Sequence, residues 1–87
     1  EITLLVRAKR LAAWVEAHPN PSDANVNHWL YQHNWIVTGA RFGWSTGAEA
    51  LRTLVAVDAR VQELWGVGSR SAELARRSLA EVEAKSS

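Results

Sequence analysis

Residues 46–65, TGAEALRTLVAVDARVQELW, carry the strongest periodic signal in the chain. Ala50, Leu54, Val57, Val61 and Leu64 recur at i, i+4, i+7, i+11 and i+14, with Leu51 and Trp65 on their flank. Glu49, Arg52, Arg60 and Glu63 take the opposite side. This is the spacing of one apolar face on a helix. Thr46 followed by Glu49 has the capping-box spacing, in which two side chains satisfy each other's backbone N–H at a helix start. Gly66 and Gly68 stop the helix, because glycine enters the left-handed conformation at little cost. The reading is a helix over about 47 to 65 that serves as the spine of a helical domain.

Beyond it, Ser69 can cap a fourth helix, about 70 to 84. The core side of this helix is thin, with only Ala72, Ala75, Leu79 and Val82. Glu73 with Arg77 and Arg77 with Glu81 are i,i+4 pairs worth a few tenths of a kcal/mol each. Residues from about 70 to 87 therefore read as a loosely held tail or as an arm that packs on something else. On the other side, residues 35–45, WIVTGARFGWS, mix β-branched and aromatic residues around Gly39. They read as an irregular aromatic loop or a short hairpin, and the loop is favoured.

Upstream, Ser22 or Asp23 caps a helix of roughly residues 23 to 34, with Val26, Trp29, Leu30 and His33 on one side. His18-Pro19-Asn20-Pro21 closes the helix before it, since a residue preceding proline disfavours helical geometry. That first helix, Ile2 to Ala17, has Leu4, Ala8, Leu11 and Val15 at i, i+4, i+7 and i+11. Trp14 lies on the flank of the stripe, four residues after Arg10, where it forms a cation–π pair or turns into the core. The fold class that results is all-α: a single small four-helix domain over 1–87 with a central third helix.

The 87 residues make one domain with a thin core, exposing roughly 5,000 Å² when folded. Five tryptophans are many for such a chain, and each can bury about 200 Å². Zero cysteines exclude disulfides, thiol catalysis and thiolate metal sites, and fit a reducing, cytoplasmic setting. A net charge of +1 implies no strong attraction to polyanions. No run is long and apolar enough to span a membrane. The chain has no methionine and opens on Glu1 inside an apolar pattern, which reads as a processed or excised piece.

Charge is distributed unevenly. Between His18 and Ser45 only Asp23 and Arg41 are charged, yet this segment holds Trp29, Tyr31, Trp35, Phe42 and Trp44, every asparagine and every histidine. Large rings beside uncharged hydrogen-bonding groups are the composition of a buried hub or of a recognition surface. Those five rings are the candidate partner-binding residues, for another protein or a second copy of the chain. Core placement is favoured for Trp35 and Trp65, whose neighbours are apolar, and is an even choice for Tyr31 and Trp44.

Other chemistry is weakly supported. His28 and His33 are five residues apart and diverge by about 140° on a helix, unlike the i,i+4 pairs of zinc sites. No nucleophile elbow or carboxylate pair is present, and Gly66-Val67-Gly68 lacks the strand and lysine of a phosphate loop. No cofactor and no enzyme activity are expected. Ser22, Val26, Trp29 and Leu30 give S-x-x-x-V-x-x-W-L, which is similar to the recognition helix of helix-turn-helix proteins. The resemblance implies a DNA-binding alternative, with Asn25, His28 and Gln32 reading base edges and Arg7, Lys9, Arg10 and Arg41 on phosphates. Against it, Pro19 to Ala40 holds no Lys or Arg, and the turn at His18 to Pro21 is long and lacks glycine. The preferred expectation is a non-enzymatic interaction or assembly module.

Overall fold

The computed structural model describes residues 2–86. It contains four helices, α1 (Leu4–Ala17), α2 (Asp23–Arg41), α3 (Gly47–Trp65) and α4 (Ser69–Ser86), and no strand among the described residues. The accessible surface is 5190 Å², in line with the expectation from chain length. α3 makes the most extensive contacts with the other three helices, α2 also touches all three, and α1 and α4 do not touch each other.

The core comes from the stripes that periodicity defines. α1 buries Leu4, Ala8, Leu11 and Val15, and α3 buries Ala50, Leu51, Leu54, Val57, Val61 and Trp65. Thr3 caps α1 by accepting from the Val6 N–H, and Ser22 caps α2 by accepting from the Asn25 N–H, both at 3.2 Å. α4 is docked, not splayed: Ala72, Ala75 and Ser78 are buried against the rest of the domain. The C=O of Gly68 accepts from the Ala72 N–H at 2.9 Å, so Gly68 stands at the cap position expected for Ser69, and Ser69 is the first residue of the helix.

Two local expectations are corrected. Residues 35–41 are neither loop nor hairpin; α2 continues through them to Arg41. Ile36, Val37 and Ala40 extend the buried side begun by Trp29 and His33, and burial outweighs the modest β preference of Ile and Val. Gly39 is kept bare inside this helix because a Cβ there would sit 2.6 Å from the Trp44 ring and 3.0 Å from Leu4. The second correction is at Thr46, which makes no capping bond to α3. It stands in the left-handed region (φ 63°), and its Oγ1 accepts from the Leu5 N–H at 3.1 Å. A hydroxyl read as the cap of α3 thus satisfies an otherwise unpaired donor at the start of α1.

Candidate functional site

α2 presents two faces. Its inner face is locked by a polar cluster that closes the core. Asp58, on the apolar side of α3, accepts from Trp29 Nε1–H at 3.2 Å through Oδ1, and its Oδ2 lies 2.6 Å from His33 Nε2. All three side chains are sealed from solvent. Burial pushes the Asp58 carboxyl above its ordinary range, opposed by His33, by the Trp29 indole and by the Arg76 charge. His33 Nδ1 has no hydrogen-bond partner in the protein. Sealed from solvent, the cluster ties α2 to α3 and fixes the rotation of α2.

That rotation sends Tyr31, Trp35, Thr38 and Phe42 outward, at i, i+4, i+7 and i+11. Tyr31 is 61% exposed, Trp35 40%, Phe42 78% and Trp44 52%. The Tyr31 and Trp35 rings lie 6.0 Å apart at 59°. Arg41 pins the end of the helix to α4, donating through Nε to Ser78 Oγ at 2.9 Å and pairing with Glu81 at 2.9 Å. The chain then turns at Gly43 (φ 85°), and the Trp44 N–H returns to the Gly39 carbonyl at 3.0 Å. Trp44 is thereby laid over the bare backbone of Gly39. Tyr31, Asn34, Trp35, Thr38, Gly39 and Trp44 together line an open groove of about 380 Å³ that carries no charged side chain.

Of the five rings expected to contact a partner, Tyr31, Trp35 and Trp44 line this groove, and Phe42 is exposed next to it beside Thr38 and Arg41. Trp29 is a correction: it is 1% exposed, because its indole supplies the donor that the buried Asp58 needs. The expectation for Trp65 holds, since it is buried, whereas Trp35 is on the outside. Trp14 makes no pair with Arg10; its ring stacks on His18 at 4.5 Å, lies tilted by 46° against His28 at 4.3 Å and meets the edge of Trp65 at 6.0 Å. The cation–π contact forms elsewhere, with the Arg7 guanidinium 4.5 Å above Trp35.

Several residues of the DNA-reading alternative make contacts within the chain. Asn25 donates to the Asn20 carbonyl at 2.9 Å, His28 lies against the Trp14 ring, and Gln32 accepts from Arg7 at 3.2 Å. Arg41 is held by α4, as above, and Arg10 lines a groove between α1 and α2. His28 and His33 lie in different surroundings, one beside Trp14 and one in the core. Among the described residues no three His, Asp or Glu side chains converge as a metal site, and no helix is long and apolar enough to cross a membrane.

Sequence reading passed over Asp58. Its position, four after Leu54 and three before Val61, is on the apolar stripe itself. A carboxylate there must find buried donors, and the candidates, Trp29 and His33, share one side of α2. No family model, curated protein or solved structure matches the chain.

Proposed function

We propose that this domain is a non-enzymatic protein-binding module of the cytoplasm, and that Tyr31, Trp35, Phe42 and Trp44 form its contact face. The observation that supports this reading is the exposure of four large rings on a domain whose core is closed by other residues, three of them lining one uncharged groove and Phe42 adjoining it through Thr38. Aromatic residues concentrate binding energy at protein interfaces, and charge is depleted at interface centres. An exposed apolar patch on a small domain is costly unless another surface covers it. The cover is a second protein or a second copy of this chain. The cytoplasmic assignment rests on the absence of cysteine.

Photo-crosslinking tests the proposal. A benzophenone amino acid placed at Tyr31 or Phe42 should crosslink in the native cell, and the same group at exposed Gln62 on α3 should not. Yields at positions 31 and 42 no higher than at 62 would reject the contact face.

A further inference from the structure

We propose that the occupant of this face is an acidic protein segment, whose apolar side chains cover the rings while its carboxylates meet Arg7 and Arg10. The inference rests on the reading of the rings as a contact face and adds the chemistry of the partner.

Ion pairing elsewhere on the domain gives the contrast. Arg41 pairs with Glu81, Arg52 with Glu83, Arg60 with Glu16, and both Arg76 and Arg77 with Glu73. Arg7, Lys9, Arg10, Arg70 and Lys85 have no carboxylate partner among the described residues, and of these Arg7 and Arg10 line the groove of about 320 Å³ between α1 and α2 with Leu11, Trp14 and His28. Arg7 joins this groove to the aromatic one, because its guanidinium lies over Trp35 while Nη1 donates to Gln32. One of its five N–H donors is thus used, and the planar fork is already oriented for a carboxylate. The combined surface carries rings and two cations, and none of the residues lining either groove is acidic.

Charge also discriminates among possible occupants. In a two-fold pairing of identical faces both cationic patches enter one interface, and neither groove supplies a carboxylate to answer them. Single-stranded nucleic acid stacks on exposed rings, but its affinity derives largely from neutralising successive phosphates. Two arginines beside four rings are too few for that. An amphipathic acidic segment satisfies both halves of the surface, as in recognition of a helix by a groove.

The test is selection of a random peptide library displayed on phage against the immobilised full chain, with counter-selection on the variant Tyr31→Ser/Phe42→Ser. Enriched peptides should combine apolar residues with net negative charge. Their affinity should fall with added salt and drop about tenfold for Arg7→Gln/Arg10→Gln, whose helical circular dichroism should match the parent. Enrichment of neutral or basic peptides, or equal binding by the arginine variant, would overturn the acidic partner and leave the contact face standing. No enrichment beyond the counter-selected variant would remove the contact face as well. Tighter binding of a labelled oligo(dT) would overturn the inference in favour of nucleic acid. Concentration-dependent dimers in light scattering, lost on Tyr31→Ser/Phe42→Ser, would overturn it in favour of a second copy.

Discussion

Asp58 occupies a place where periodicity would put a leucine, and the cost of its burial is offset by two donors from α2. Its folded pKa lies above the ordinary value, with burial the leading cause. The native state therefore keeps the proton over a range in which the unfolded chain has released it. The stability tied to this proton is complete below the usual aspartate value of about 3.9 and drains as pH rises through the elevated one. Asp58→Asn preserves an acceptor for Trp29 but never ionises. Wild-type Tm minus variant Tm should accordingly shrink as pH is raised from about 4, and a constant difference across thermal melts would contradict this. Gly68 is a second residue-scale test. Its φ is +92°, and a Cβ would come within 2.5 Å of the Trp29 ring, whereas Gly66 (φ +67°) faces open space. Gly66→Ala should cost about 1 kcal/mol from the left-handed conformation alone. Gly68→Ala should cost about 2–3 kcal/mol in urea denaturation, since ring displacement is added.

At the scale of elements, the α2–α3 junction is where local signals mislead. The pairing of Thr46 with Glu49 has the spacing of a capping box, yet the hydroxyl serves α1 across the domain. Thr46→Ser keeps that acceptor, and Thr46→Ala deletes it. The alanine variant should be less stable than the serine variant by about 1–2 kcal/mol in chemical denaturation, the cost of an unmade bond to a partly buried donor. Equal stability would mean that the bond to Leu5 contributes nothing. α2 itself shows why residues 35–41 were harder to read than residues 46–65. In α3 apolar and charged faces alternate cleanly; in α2 the outward side is aromatic, so both faces look like core and the period is hidden. Gly39 and the β-branched residues then suggest a break that the inner stripe of Ile36, Val37 and Ala40 overrides.

For the molecule as a whole, the Cα extents of 39 × 28 × 16 Å describe a thin body with little depth in which to hide rings. Trp29 and Trp65 fill it, and Trp35 and Trp44 remain outside. Acrylamide quenching of tryptophan emission should thus be biphasic, with an accessible fraction that shrinks in Trp35→Phe/Trp44→Phe to what half-buried Trp14 contributes, and a blue shift of what remains. Unchanged quenching in that variant would place those indoles inside. Tyr31→Ser/Phe42→Ser should leave Tm within about 2 °C of the parent, as expected for changes away from the core.

By itself the sequence determined the four helices, the central position of α3 and the core stripes of α1 and α3, because helix period and stop signals act over a few residues and need no partner. It also marked the segment that carries the exposed rings. Which indole is buried was decided only by the tertiary structure. Trp29 and Trp35 have similar neighbours along the chain. They differ in that Asp58, on another helix, requires a donor at one position, while the thin body offers no cover at the other. Hydrogen bonds and burial of that kind join residues about thirty apart, and local spacing does not contain them.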